Sequence, residues 1–286
     1  MTRISNRHPR YRSLQTRARL ARALADGVVV GEGLIAQGRA EAFDYFLGER
    51  STPSARRAER SAARWLAAAQ RPVISVNGNV AALAAREVAA LQRARPGLAV
   101  EVTLFHRTPA RARAVADVLS KAGVRGVLGV RPTARVPGLP SDRAWVDRRG
   151  IGRADLCLVP LEDGDRALAL RRMGTRVIAI DLNPMSRTAE VADLPVVDEL
   201  TRALRAMVEE LRRGRRAEGP GGFEAVDAPR LLAEARRTMA LRLTRSARRP
   251  GIGGSARGAS SRPARGIGSR RRRTPRRRSH RRRPRR

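Results

Sequence analysis

Residues 156–188 read LCLVPLEDGDRALALRRMGTRVIAIDLNPMSRT. Two short apolar runs, 156–160 and 177–181, each break into a polar turn. Between them, 165–173 places its apolar residues at helical spacing. A buried strand, a turn, a helix and a second buried strand make a βαβ unit, and its continuous Val/Ile/Leu runs suit strands covered on both faces of a parallel sheet. The same alternation continues outward. Further strands are predicted at 72–76, 98–105, 126–130 and 195–197, with helices at 80–94, 109–121 and 199–213. Ahead of them, 13–25, 38–48 and 53–69 read as an N-terminal helical region packed on the sheet or on a second subunit. A polar, Gly-rich connector at 214–224 leads to a last helix at 228–243. The expected fold is α/β: a Rossmann-like, doubly wound, mostly parallel sheet with an N-terminal helical region. Its expected limits are 1–70 for the helical region, 71–200 for the sheet and 201–245 for the C-terminal helices, together one domain.

Composition narrows the class. Hydrophobic residues make up 42% of the 286, enough for a core, whereas aromatics are only 3%, so Ala, Val, Leu and Ile must build it. The lone Cys157 excludes an internal disulfide and, inside an apolar strand pattern, reads as a packing residue. The arginine-rich start has no apolar stretch of signal-peptide length, and no run of about 18 apolar residues occurs, so a cytoplasmic protein with no membrane contact is expected. The formal charge of +35 is unevenly spread: residues 246–286 hold 17 arginines and no acid. That tail, ending RRRRTPRRRSHRRRPRR, has too little apolar content to offset its ordering entropy and is expected to be disordered.

Ligands of open α/β sheets bind at the carboxyl ends of the strands, where helix N-termini present free N–H groups to phosphates. Three such ends are polar here. Ser75-Val76-Asn77-Gly78-Asn79 permits a tight turn and offers amide side chains, although a plain turn would use the same residues. Leu161-Glu162-Asp163-Gly164-Asp165-Arg166 places three carboxylates close together. Glu162, Asp163 and Asp165 suit Mg²⁺ through oxygen ligands, or equally a solvated helix cap. Asp181-Leu182-Asn183-Pro184-Met185-Ser186-Arg187-Thr188 suits a nucleotide: Asp181 to accept from a ribose or an adenine amino group, Arg187 to fork onto a phosphate. Near the start, His8-Pro9-Arg10-Tyr11, Arg12 and Arg17 precede Gly31-Glu32-Gly33 and Gly38-Arg39, where glycine beside arginine suits close approach to an anion.

Other chemistries lack their residues. No GxxxxGK[ST] loop, well-placed GxGxxG or GxSxG elbow is present. His8, His106 and His280 with one cysteine make no metal-ligand pattern.

Taken together, HPRYxSL, GLIAQGRAEAFDYFLGER, PVISVNGNVAAL, VPLEDGDR and IDLNPMSRTA resemble archaeal 4-phosphopantoate–β-alanine ligase, also called phosphopantothenate synthetase, from about residue 4 to 243. The resemblance implies a Rossmann-like homodimer in coenzyme A synthesis. It would condense 4-phosphopantoate with β-alanine at the expense of ATP, with Mg²⁺, releasing AMP and diphosphate. It further implies ATP contacts at Arg17, Arg39, Asp181, Leu182, Asn183, Arg187, Thr188, Glu199 and Leu200. Asn77, Asn79 and His106 are candidates for the reacting end, since two strand-end loops converge there. Two other classes compete: a basic nucleic-acid-binding protein acting through the tail, and a Rossmann-like oxidoreductase, which the missing glycine fingerprint disfavours. For the tail itself, non-specific nucleic-acid contact, an inert extension and the product of a GC-rich frame stand side by side.

Overall fold

Five parallel strands carry the structure, a computed structural model that describes residues 5–214 and 223–247. They are β1 (Pro72–Val76), β2 (Ala99–Val102), β5 (Leu156–Pro160), β6 (Arg176–Ile180) and β7 (Leu194–Val196), paired in the order β2-β1-β5-β6-β7. Counting sheet strands alone, this is the doubly wound order 2-1-3-4-5, whose direction of winding reverses between β1 and β5. Both faces of the sheet are buried. Ile74, Val76, Val100, Leu156, Leu158, Ile178 and Ile180 pack with helices α3 (Pro53–Ala68), α4 (Gly78–Ala94) and α8 (Leu200–Gly214). Their alternate neighbours Val73, Cys157, Val159, Val177 and Ala179 pack with α6 (Gly164–Arg172) and a short hairpin, β3 (Ala134–Arg135) and β4 (Trp145–Val146). Cys157 is fully buried there, and burial pushes its thiol up to about 12, so it packs rather than reacts.

The remaining helices are α1 (Tyr11–Ala25), α2 (Gly31–Leu47), α5 (Pro109–Lys121), the five-residue α7 (Arg187–Val191) and α9 (Ala228–Ala247). Sequence punctuation explains several boundaries. Thr52 and Thr108 cap α3 and α5 through their side chains, each followed by proline at the first helical position. Gly48, at φ 87°, ends α2 in the left-handed conformation.

Three expectations need correction. The segment 126–130 is not a strand. It meets the edge of β2 through one bridge, Glu101 to Leu128, and turns away at Gly126 and Gly129, both at positive φ. The predicted helix 38–48 begins seven residues earlier, so Gly31-Glu32-Gly33 forms a first helical turn and not an anion-binding loop. The strand predicted over 98–105 narrows to Ala99–Val102. The hairpin and α7 are too short for periodicity to reveal. Connector residues 215–222 and tail residues 248–286 lie outside the described residues, and with them the expectations made for those segments.

One buried cluster joins the N-terminal helices to the end of the sheet. Asp198, after β7, accepts from Ser51 Oγ at 2.5 Å, from the guanidinium of Arg202 at 2.7 Å and from the Glu199 amide at 2.7 Å. Arg202 also reaches Asp44 of α2 at 2.5 Å. Glu59 of α3 faces Asp198, and burial, then the neighbouring carboxylate, pushes its carboxyl up to about 9. In the unfolded chain such a group titrates near 4.5, so between those values the fold holds a proton that the unfolded chain has released. Its contribution is complete below the lower value and is lost as pH rises through the upper one, by at most about 1.4 kcal/mol per pH unit. Glu59→Gln keeps a hydrogen-bonding group but cannot titrate. Denaturant unfolding across about pH 6 to about pH 9 is expected to show a shallower loss of stability in this variant than in the parent. Parallel slopes would refute the assignment.

Candidate functional site

The winding reversal between β1 and β5 opens a crevice at the carboxyl ends of the strands, and a cavity of about 710 Å³ occupies it. The walls come from one side of α2 between Glu32 and Phe43, the first turn of α4, the loop after β2, the β5–α6 turn and the β6–α7 turn. Asn77 fastens two of these. Its Oδ1 caps α4 by accepting from Val80 N at 3.0 Å, while its Nδ2 donates to the Leu161 carbonyl at 2.9 Å. Asn79 donates to the Gly33 carbonyl of α2 at 2.7 Å. Close approach there needs the missing side chain, since a Cβ on Gly33 would lie 2.3 Å from Asn79 Oδ1.

Under the crevice lies a buried charge network. Glu162 has one oxygen against Arg166 and the other 2.6 Å from Arg143 Nη1. Arg166, only 1% exposed, donates from the same nitrogen to Ser75 Oγ of β1 at 2.8 Å, and Ser75 in turn bonds Thr103 Oγ1 at 2.7 Å. Burial pushes the Glu162 carboxyl up, but the guanidiniums of Arg166 and Arg143 outweigh it and hold the group below the usual carboxylate range. Thr188 Oγ1 donates to the Glu162 carbonyl at 2.6 Å, which fastens the β6–α7 turn to the same point.

That turn is built from its own polar residues. Asp181 Oδ1 accepts from the Asn183 amide and Asn183 Oδ1 from the Met185 amide, each at 2.9 Å, and Ser186 caps α7. Burial raises the Asp181 carboxyl above its ordinary value, against the pull of Ser186, the Asn183 amide and the positive charge of Arg39. Arg187 pairs with Asp165 at 2.7 Å, both largely exposed, so the pair is worth little and is easily exchanged for a stronger anion. Arg39 makes no ion pair or side-chain hydrogen bond among the described residues, and its charge is felt at Asp181.

The cavity thus brings together Arg39, Asn77, Asn79, His106, Glu162, Asp163, Asp165, Asp181, Asn183, Arg187 and Thr188. Four other residues named from sequence stand elsewhere. Arg17, on α1, pairs with Glu41 of α2 at 3.1 Å and does not line the cavity. Leu182 is buried against Leu47, Val197 and Leu232, and Leu200 belongs to the main core. Glu199 caps α8, accepting from the amides of Thr201 and Arg202 at 3.0 Å each. The three acids of the β5–α6 turn are each engaged by arginine: Glu162 by Arg143 and Arg166, Asp163 by Arg143, Asp165 by Arg187. Among the described residues no group of three or more His, Cys, Asp or Glu is arranged to hold a metal ion. His106 lies 3.6 Å from Glu32 at the exposed lip.

Sequence reasoning missed two arginines that line this cavity, Arg111 and Arg143. In a chain with 61 basic residues nothing local distinguishes them. Arg143 reaches the site only because the hairpin carries it there over the ring of Phe105, 5.2 Å away.

A family model described as phosphopantothenate/pantothenate synthetase matches residues 54–240. A protein of Methanospirillum hungatei named 4-phosphopantoate–β-alanine ligase is 55% identical over 201 residues, covering 70% of this chain and 82% of that protein. Proteins of the same name from Methanosarcina mazei and Thermococcus onnurineus are each 48% identical. They align over 238 and 213 residues, 82% and 74% of this chain and 93% and 81% of their own lengths. With the family matched across most of the folded chain and the strand-end crevice in place, this chain belongs to the phosphopantothenate/pantothenate synthetase family.

Proposed function

We propose that the chain is a 4-phosphopantoate–β-alanine ligase of coenzyme A synthesis, working in the crevice between β1 and β5. The observation that carries this reading is the β6–α7 turn. It gathers Asp181, Asn183, Arg187 and Thr188 beside Arg39 at the mouth of a cavity large enough for a nucleotide and a small acid together. ATP would lie along this turn, with Asp181 and Asn183 toward the nucleoside and Arg39 and Arg187 on the phosphates. Both arginines are available: Arg39 has no rival acid in contact, and Arg187 would give up only an exposed pair.

The chemistry asks two negatively charged reactants to meet. A carboxylate oxygen of 4-phosphopantoate attacks the α-phosphorus of ATP and diphosphate leaves. The β-alanine amine then attacks the acyl carbon of the mixed anhydride, forming the amide and releasing AMP. Guanidiniums that hold the phosphates lower the repulsion between the reactants and align them, which is where most of the acceleration in such transfers arises. Asn77, Asn79 and His106 line the β1–β2 end of the cavity, where the acid would lie. Mg²⁺ would enter on the nucleotide's own phosphates. The acids of the β5–α6 turn, each held by arginine, do not fit a preformed ion site, and no step depends on them.

The reading extends to a cytoplasmic homodimer. Among the described residues no helix is long and apolar enough to cross a membrane. Helix α2 leaves Ile35 71%, Tyr45 42% and Phe46 37% exposed, a surface suited to a second copy.

Mixing ATP with 4-phosphopantoate is expected to release diphosphate, and AMP once β-alanine is added; silence in both assays would overturn the reading. Arg39→Ala and Arg187→Ala should each raise the ATP KM or lower kcat by about tenfold or more, the loss of one charge-assisted contact. Parental kinetics in both would remove the nucleotide from this turn. Asn79→Ala and His106→Ala should weaken 4-phosphopantoate binding in calorimetric titration, and parental affinity in each would move the acid elsewhere.

A further inference from the structure

Glu101, on the edge strand β2, is fully buried and makes no ion pair among the described residues. A carboxylate kept out of water without a cation in contact is costly, so its remaining partners carry weight. Both are backbone amides of one turn: Oε1 accepts from Asp147 N at 2.6 Å and Oε2 from Ile151 N at 2.7 Å. The other amides of that turn are satisfied nearby. Arg148 N donates to Thr133 Oγ1 at 2.9 Å, Arg149 N to Asp147 Oδ1 at 2.8 Å, and Gly150 N and Gly152 N to the Asp147 carbonyl at 3.1 and 3.0 Å. Two glycines make room for the carboxylate. A Cβ on Gly150 would lie 2.0 Å from Glu101 Oε2, and one on Gly129 would lie 2.9 Å from Glu101 Cγ.

This turn follows directly on β4, and Arg143 stands four residues before Asp147. Backbone bonds from Thr133 N to the Val146 carbonyl at 2.9 Å and from Val136 N to the Ala144 carbonyl at 2.8 Å stiffen the hairpin between them. At its far end Asp142 accepts from Arg107 N at 3.2 Å, and Arg143, its side chain 12% exposed, reaches Glu162 at 2.6 Å with Phe105 beneath it. Val136, Ala144, Val146 and Ile151 hold the hairpin on the sheet by apolar packing, which is non-directional. The two bonds to Glu101 are directional and fix where the hairpin sits. Arg143 lines the cavity, whereas Glu101 does not, so a guanidinium of the crevice wall is placed from outside the crevice.

We propose that Glu101 is a positioning residue of the ligase: by taking both amides it pins the hairpin to the sheet edge and sets the place of the Arg143 guanidinium in the cavity wall. The inference rests on the ligase reading above. A displacement of about 1 Å in a group that positions reactants can cost about 100-fold in rate, so a buried anchor of this kind bears on turnover without touching a reactant. Another route exists, since the charge of Glu101 is coupled to Arg166 of α6 across the interior, but it does not pass through the hairpin.

The test is a double-mutant cycle on the full chain. Glu101→Gln keeps the volume and one acceptor but turns a donor toward the second amide. Glu101→Gln and Arg143→Gln should each lower kcat/KM by about tenfold or more, and Glu101→Gln added to Arg143→Gln should lower it by less than about twofold further. Multiplying losses would mean that Glu101 acts by general stability or through Arg166, and parental kinetics in either single variant would break the link to the reaction; each overturns the proposal. Fluorescence supplies a second readout that needs no Arg143 variant. Trp145 of the hairpin is 38% exposed and Trp65, the other tryptophan, 2%, so acrylamide quenching reports the hairpin. Its quenching constant should rise by about half or more in Glu101→Gln, and a parental value overturns the pinning. A parent chain that makes no product from ATP, 4-phosphopantoate and β-alanine would instead refute the ligase reading, a result distinct from an active parent that is indifferent to Glu101.

Discussion

Glu162 lies at the carboxyl end of β5 with Arg166 on one oxygen and Arg143 on the other, and the crevice is arranged around that contact. A carboxylate taken wholly out of water is costly unless it is paired, and removing one partner of such a pair typically costs about 3–5 kcal/mol. The pairing fixes much else. Through Arg166 it reaches Ser75 on β1 and Thr103 after β2; through its own carbonyl it holds Thr188 of the β6–α7 turn; through Arg143 it draws in the hairpin. Four chain segments far apart in sequence thus converge on one carboxyl group at the point where the sheet reverses its winding.

The site's electrostatics follow from the same arrangement. Acids that looked like ion ligands in sequence neutralise arginines in the fold, and Arg39 is left at the cavity without an ion pair among the described residues. Guanidiniums held in place by neighbouring groups are preorganised for an anion, since little reorganisation is needed when it arrives. The overall charge of +35 says little about this, because much of it belongs to residues 246–286, away from the family match at 54–240.

Legibility in the sequence followed length and periodicity. Strands β1 and β5 and helix α5 were predicted at their observed limits, because Val/Ile/Leu runs bounded by Asn-Gly, Pro and Thr-Pro are local signals. The segment 126–130 misled, since its apolar residues suggest a strand that glycines at positive φ then prevent. The start of α2 was missed because Gly31 and Gly33 read as loop. Both lie in the first turn of α2, and position 33 is glycine because it must admit Asn79 of the neighbouring helix, a requirement set by a residue 46 positions away.

The amino-acid sequence by itself determined the α/β class, the polar strand ends and the motifs of the family, all of which are written in short contiguous stretches. Tertiary structure alone decided which charges are spent on one another and which are left for a ligand. Arg187 and Arg166 are both arginines of the strand-end turns, yet one stands exposed beside Asp165 and the other is buried on Glu162. Arg111 and Arg143 are indistinguishable in sequence from dozens of other arginines, and only the fold brings them to one end of one cavity. The reason is physical: a side chain's charge is local, but its burial and its partners are set by segments that only packing brings together.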